Sequence, residues 1–311
     1  MAHTEVATGD NKPLFVITGP TASGKTAKAV ALARRIGGEI VSADSRQIYR
    51  GMDIGTGKDI EEYGDVPYHL IDICDAGYRY NLFEYLRDCR AALDDIGRRG
   101  KQAVLCGGTG LYVESVVKGI ELPPAPENQD LRRELEGKTL DELTAILAQY
   151  KTLHNVTDVD TPKRAIRAIE ICRYYHDNPE LKVKTQPHPL DNAVVIGVQI
   201  DREARRERIS RRLKARLDNG MVEEIEVLMA SGVKPEDLMY YGLEYKFVTM
   251  YATGQLSYDE MFCRLETAIH QFAKRQMTWF RGMERRGTVI HWLPYDMADE
   301  DFVNAALDLA R

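Results

Sequence analysis

The stretch "LFVITGPTASGKTAKAVALA" (residues 14–33) constrains the fold more than any other. Four apolar residues and a threonine run into a loop bounded by glycines, and an alanine-rich segment of helical character follows. Gly19, Gly24, Lys25 and Thr26 fit the spacing G-x-x-x-x-G-K-[ST], with the strand before and the helix after that this spacing requires. Glycine lets backbone N–H groups turn toward one anion at the helix N-terminus, and Thr21, Ala22 and Ser23 complete the cradle. Lys25 adds a point charge. The Thr26 hydroxyl is placed to ligate Mg2+.

Short apolar runs recur at "GEIVSAD", "YHLIDIC" and "QAVLCGG", separated by helical patterns. This rhythm predicts a parallel sheet with helices on its faces. Three prolines in "LPPAPENQD" (residues 122–130) interrupt it, and "NAVVIGVQID" later returns to a β-run. The expected architecture is α/β: a phosphate-loop parallel sheet core with an inserted helical domain and long C-terminal helices. The first part of the core spans 1–122, the helical lobe 123–192, and the second part of the core 193–311, with one late strand candidate, "GTVIHWL".

Composition excludes several classes. A formal charge of −6 argues against a chain coated with nucleic acid, yet permits a local basic patch. Five cysteines, odd in number and without a C-x-x-C pair, suggest neither a zinc site nor a disulfide framework. "MAHTEVATGDNK" has no apolar signal core, and no apolar run approaches the roughly 18 residues of a membrane helix, so a cytoplasmic protein is expected. The basic patch lies in "REARRERISRRLKAR" (residues 202–216), with eight basic and two acidic residues. On a 3.6-residue repeat Arg205, Arg208, Arg212 and Arg216 share one side, beside an apolar seam of Ile209, Leu213 and Leu217.

A phosphate loop does not by itself dictate triphosphate hydrolysis, which also needs an acid for the metal and a group that orients water. "QAVLCGGTG" ends in glycines and a threonine where such an acid would stand. Asp72 and Asp44 are the candidates. Asp44 closes the strand after the phosphate-loop helix, so in a parallel sheet it emerges beside the phosphates. Alternatively, it caps the turn into "SRQIY".

Six stretches, in order, cover most of the chain and resemble the tRNA dimethylallyltransferases, the tRNA isopentenyltransferase family. They are "GPTASGKT" (19–26), "SADSRQIYRGMDIGTGK" (42–58), "GGTGLY" (107–112), "KRAIRAIEI" (163–171), "RRERISRRL" (205–213) and "QFAKRQMTWFR" (271–281). The resemblance implies that the loop from Gly19 to Thr26 holds the diphosphate of dimethylallyl diphosphate, with Arg212 on that group and Arg208 behind it. It implies transfer of the five-carbon group to the exocyclic N6 of the adenosine just 3′ of the anticodon in tRNA. Asp44 matches the family's catalytic aspartate, and Thr109 falls at the reactive centre or its tRNA contact. Ser45, Arg46 and Gln47 take the tRNA-contacting position after Asp44. Arg132, Lys163, Arg164 and Arg167 fall in the lobe that the family uses to grip tRNA. Mg2+ at Thr26 is the implied metal, tRNA and dimethylallyl diphosphate are the implied partners, and the chain is expected to act as a monomer without a membrane.

The residue chemistry agrees with that implication. An adenine amine is a poor nucleophile, so the barrier falls mainly by stabilising the departing diphosphate, and the amine must also shed a proton. The residues alone leave open prenylation of free adenine nucleotides, a small-molecule kinase, or a non-catalytic RNA-binding module. Two stretches depart from the family pattern: "GTGKD" (55–59) where "GTAKP" is common, and "YYGLEYKF" (240–247), in which Leu243 and Glu244 replace an aromatic and a positive charge.

Overall fold

The computed structural model describes residues 12–122, 125–151, 159–182 and 189–311. The N-terminal residues 1–11 and the expected lobe boundary at Pro123 lie outside the described residues. In chain order the elements are β1 (Leu14–Thr18), α1 (Lys25–Ile36), β2 (Glu39–Ser42), β3 (Tyr68–His69), α2 (Leu82–Arg98), β4 (Ala103–Gly107) and α3 (Gly110–Val117). Then come α4 (Gln129–Leu135), α5 (Leu140–Ala148), α6 (Pro162–Asp177), α7 (Pro179–Lys182), β5 (Ala193–Gln199) and α8 (Arg202–Asp218). The last are α9 (Met221–Ala230), α10 (Pro235–Leu238), α11 (Leu243–Ala252), α12 (Tyr258–Arg285), β6 (His291–Pro294) and α13 (Asp299–Asp308).

The strands form one parallel sheet in the order β3-β2-β4-β1-β5-β6. β1 is central, with Phe15 opposite Val104 on one side and Val194 on the other. Its four apolar residues and Thr18 are all buried because helices cover both faces of the sheet. Side chains alternate across the strand. Phe15 and Ile17 pack with Ala29, Leu32 and Phe302 of α1 and α13, whereas Leu14 and Val16 join Leu105, Tyr85 and Phe280 on the opposite face. Each such aliphatic or aromatic residue contributes about 1.5–3 kcal/mol on burial.

"YHLIDIC" yields much less strand than its apolar character predicts. Only Tyr68 and His69 pair with β2, because Leu70 and Asp72 take left-handed backbone at φ 63° and 56°. The Asp72 carboxylate is thereby turned onto the fully buried Lys58 ammonium, which also pairs with Asp53 at 2.5 Å and donates to the Tyr49 carbonyl at 2.6 Å. Asp72 is thus spent on anchoring a loop, and Asp44 is left as the acid at the sheet edge.

The chain divides into two compact units. One holds the described residues through Lys118 together with Leu190–Arg311, and the other is Gly119–Pro189. The second unit has its own apolar core of Leu131, Leu135, Leu143, Leu147, Ala165 and Ile169. Its helices carry sequence-encoded starts: Asn128 caps α4, Thr139 and Glu142 form a capping box on α5, and Thr161 with Pro162 opens α6. Glu170 is buried in this unit. Burial alone would raise its carboxyl, but Arg132, Arg167 and the Asn128 N–H outweigh that and hold it below the usual range.

In the first unit, Glu39 ties the start of β2 to its neighbours. It accepts from both terminal nitrogens of Arg99 and lies 2.7 Å from His69 Nε2. The Arg99 hydrogen bonds, opposed by burial and aided by His69, lower this carboxyl to about 2. A carboxyl depressed on folding adds stability that is present above its unfolded value of about 4.3 and lost as pH falls toward 2. Glu39→Gln should therefore cost about 2 kcal/mol at pH 7 and progressively less below pH ~4. Urea melts of both proteins from pH 7 to 3 measure this; a pH-independent gap would remove Glu39 as the source.

Candidate active site

The carboxyl ends of β1, β2 and β4 converge on a cavity of about 1100 Å³. Chain connections leave β1 and β4 in opposite directions along the sheet, which is where open parallel sheets hold ligands. Every lining residue belongs to the first unit.

On the β1 side, the phosphate loop is shaped by backbone that other residues resist. Gly24 caps α1 at φ 84°, and a Cβ at Gly19 would lie 3.0 Å from Ser23 Oγ and 3.1 Å from the Val198 carbonyl. Ser23 donates its N–H to the Pro20 carbonyl while its hydroxyl is buried without a hydrogen-bond partner. Gly19 and Ser23 build the turn; Thr21, Ala22, Gly24, Lys25 and Thr26 line the cavity. Burial lowers the Lys25 ammonium below the usual lysine range, against the raising influence of Cys106 and the Asp44 carboxylate. Neither Lys25 nor the Thr26 hydroxyl has a side-chain hydrogen bond among the described residues, so both are available to an anion or its metal.

α8 rests on its buried seam of Ile209, Leu213 and Leu217 and presents arginines to the same cavity. Arg208 meets the loop itself, with Nε donating to the Ala22 carbonyl at 2.8 Å and its guanidinium over the Tyr295 ring. Arg212 is engaged elsewhere, pairing with Asp59 at 2.6 Å and donating to the Gly57 carbonyl. Arg216 is 3.9 Å from both Asp59 and Glu244, and burial together with the Arg212 charge lowers it to about 10. The arginine in contact with the loop is thus Arg208. Burial and the neighbouring Asp59 raise the Glu62 carboxyl, and burial likewise raises that of Glu244. Asp59 and Glu244 stand at the two departures from the family pattern. They counterbalance two of the helix's cations.

On the β2 and β4 side the packing is close enough to need glycine: a Cβ at Gly107 would overlap the Ala43 carbonyl. Thr109 N–H donates to that carbonyl at 3.2 Å, and Ser45 N–H donates to Thr109 Oγ1 at 3.0 Å. Thr109 is the N-cap residue of α3, yet its hydroxyl serves Ser45 rather than the helix. Asp44 lines the cavity and accepts from the Arg46 N–H at 2.9 Å, which leaves its other oxygen without a hydrogen-bond partner among the described residues. Asp44 therefore caps the turn and faces the cavity at once. Gln47 is held at both ends, accepting from Ser42 Oγ and donating to the Gly57 carbonyl. Arg46 donates to the Tyr240 carbonyl at 3.2 Å and packs over that ring.

α12 supplies a wall to which the sequence reading gave no role. Phe272 and Trp279 are each 39% exposed, a large apolar surface turned to the cavity beside Arg275. Gly110 admits Trp279, since a Cβ there would overlap the indole. The signal was present in "QFAKRQMTWFR", where aromatics recur at a spacing of two helical turns among basic residues.

Arg132, Lys163, Arg164 and Arg167 belong to the helical unit. Arg132 and Arg167 are committed to Glu170, with Arg132 also 2.9 Å from Glu127. Arg164 pairs with Asp160, and Lys163 is exposed without a partner among the described residues. Among the described residues no three His, Cys, Asp or Glu side chains gather as a metal site, and no helix is long and apolar enough to cross a membrane.

Comparison with known proteins places this geometry. The family described as IPP transferase matches residues 47–283, and the one described as isopentenyl transferase matches residues 12–63. A tRNA dimethylallyltransferase 2 of Bacteroides fragilis is 62% identical over 295 residues, covering 94% of this chain and 95% of that protein. A tRNA dimethylallyltransferase 1 of Parabacteroides distasonis is 59% identical over 293 residues, covering 93% and 94%. Among solved structures, the full-length tRNA isopentenylpyrophosphate transferase of Bacillus halodurans aligns with a TM-score of 0.69 at 31% identity, covering 96% of each chain.

The anion cradle makes its own prediction. Inorganic diphosphate with Mg2+ should raise the thermal midpoint, by about 2.7 kcal/mol of added stability at a hundred times its Kd. Lys25→Met should lose most of that rise in a scanning-fluorimetry titration. An undiminished shift would locate the anion elsewhere.

Proposed function

The chain belongs to the IPP transferase family and transfers a dimethylallyl group from dimethylallyl diphosphate to N6 of the adenosine 3′-adjacent to the anticodon in tRNA, and from that premise we propose which of its residues do the work. The observation that carries the proposal is the opening of a phosphate cradle and an acidic strand end into one cavity. Backbone N–H groups of Ala22, Gly24, Lys25 and Thr26, with the Lys25 ammonium and Arg208, hold the donor's diphosphate, and Arg212 completes the cationic side once Asp59 yields it. Leu111, Phe272 and Trp279, all substantially exposed apolar side chains on the cavity, take the five-carbon chain and the base.

In the reaction, the bond from donor C1 to the diphosphate oxygen breaks with its electron pair leaving on oxygen. The bond from N6 to C1 forms, and the proton released from N6 passes to the Asp44 carboxylate. Cations and N–H dipoles fixed before the reaction stabilise the charge that grows on the leaving group. Thr109 holds the Asp44 turn through Ser45 and sits at the acceptor's side, while Arg46 and Gln47 form the adjoining RNA contact. Mg2+ fits this donor set, because the ion needs only one or two protein oxygens beside phosphate oxygens, and Thr26 has such an oxygen unspent. When bound there it adds charge neutralisation on the diphosphate.

A tRNA acceptor supports a cytoplasmic location. Incubating the protein with Mg2+, dimethylallyl diphosphate and either unmodified tRNA or AMP, with modified nucleosides identified by mass, tests the acceptor; prenylation of AMP alone overturns the assignment.

Asp44→Asn retains size and removes the basic charge. Turnover should fall by about 10²- to 10⁴-fold with donor affinity near normal. Weaker, metal-dependent donor binding would instead assign Asp44 to the metal, and parental turnover would leave it only the turn.

The helical unit separates recognition from architecture. Lys163→Glu should weaken tRNA binding and lower the slope of log affinity against log salt by about one, with an unchanged melt. Arg167→Glu should lower stability by about 2 kcal/mol, because it opposes buried Glu170 with a like charge. Parallel filter binding across a salt series and thermal melts distinguish the two; an unaltered salt slope in Lys163→Glu would take Lys163 off the RNA.

A further inference from the structure

Gln276 lies within the 28-residue α12 and is only 7% exposed. A buried primary amide is costly unless both ends find partners. Here both do, and the two partners belong to different loops. Oε1 accepts from the Thr21 N–H at 2.8 Å, and Nε2 donates to the Gly108 carbonyl at 2.9 Å. Thr21 is in the phosphate loop after β1; Gly108 immediately precedes Thr109 in the loop after β4.

The fit has little slack. A Cβ at Gly108 would come within 2.6 Å of Nε2, and the same position is 3.5 Å from Lys25 Cε. The amide itself is held by α12, whose Ala273, Phe280 and Met283 are fully buried. Beyond Gly108 the hydrogen bonds continue from Ser45 N–H to Thr109 Oγ1, and Asp44 adjoins Ser45. An unbroken run therefore joins the phosphate loop to the acidic strand end: Thr21, Gln276, Gly108, Thr109, Ser45.

We propose that Gln276 is a positioning residue that sets the separation of the two substrates and couples their binding, so that tRNA in the acceptor side tightens donor binding in the phosphate loop. This rests on the assignment of the phosphate loop to the donor and of Asp44 and Thr109 to the acceptor. Displacement at carbon requires the nucleophile and leaving group in line, and a misplacement near 1 Å costs about 10²-fold in rate. The amide is the direct link between the loops that carry the two.

The donor probe is dimethylallyl thiodiphosphate, whose C–S bond resists transfer, titrated calorimetrically with and without unmodified tRNA. Parent protein should bind it about five-fold or more tightly with tRNA present. Gln276→Met removes both arms and should bring that ratio toward one and lower kcat by about 10²-fold, with a larger effect on kcat than on the tRNA KM. Gln276→Glu keeps an acceptor for Thr21 N–H but sets a carboxylate against the Gly108 carbonyl. It should weaken binding of the probe alone through the added charge while still losing the coupling, so the ratio with and without tRNA keeps the test decisive if the methionine variant folds poorly. Parental coupling and kcat in either variant overturn the proposal, as does a loss confined to the melting temperature. Parent protein that transfers the prenyl group but binds the probe without regard to tRNA also overturns it, while leaving the assignment of the two loops standing.

Discussion

No side chain fits between Gly107 and the Ala43 carbonyl, and the site depends on that contact. It lets the β4–α3 loop lie against the end of β2, so that Thr109 reaches both the Ala43 carbonyl and the Ser45 N–H. Parallel strands share one direction, and the loop after β1 therefore opens at the same edge. Two loops with different chemistry, one of N–H groups and cations and one ending in a carboxylate, are brought to one cavity by the order of strands rather than by proximity in sequence.

The charge pattern within that cavity is balanced. Arg212 and Arg216 repel each other across one helical turn, and Asp59 and Glu244 stand where they offset that repulsion. Both loop segments concerned are tightly held. Glu224 accepts from the N–H groups of Asp53, Ile54 and Gly55 and from Tyr245 Oη, while Lys58 is buried against Asp53 and Asp72. Pinning the backbone in this way keeps Asp59 within reach of Arg212. The arginines are thereby oriented in advance, so an anion entering the cavity would exchange one negative partner for another instead of ordering loose side chains.

Much of this was legible in the residues, for a physical reason. A central parallel strand buried on both faces must read as a continuous apolar run, as "LFVIT" does, and a phosphate loop must place glycine where φ is positive. "YHLIDIC" was less legible because its apolar residues pack from irregular backbone, so hydrophobicity overstated the strand. Helical spacing identified the arginine face of α8 but not which guanidinium meets which partner, since Ala22 and Asp59 lie far off in sequence. Arg132 and Arg167 were expected to grip tRNA, and their pairing with Glu170 was not legible because a buried carboxylate has no local signature. Gln276 was invisible for the same reason: one amide among basic residues gains its meaning from two loops more than 160 residues away.

The hydrogen bond from Leu190 N–H to the Val117 carbonyl, 3.0 Å long, joins the points at which the chain leaves the sheet unit and returns to it. Topologically, the whole excursion between them is one loop. Its closure entropy grows only with the logarithm of its length, each doubling costing about 0.6 kcal/mol. Because that excursion carries its own apolar core, sequence drift within it leaves the register of β4, β1 and β5 untouched. Descent can therefore lengthen, shorten or recharge this segment at small thermodynamic cost while the sheet and its cavity stay as they are.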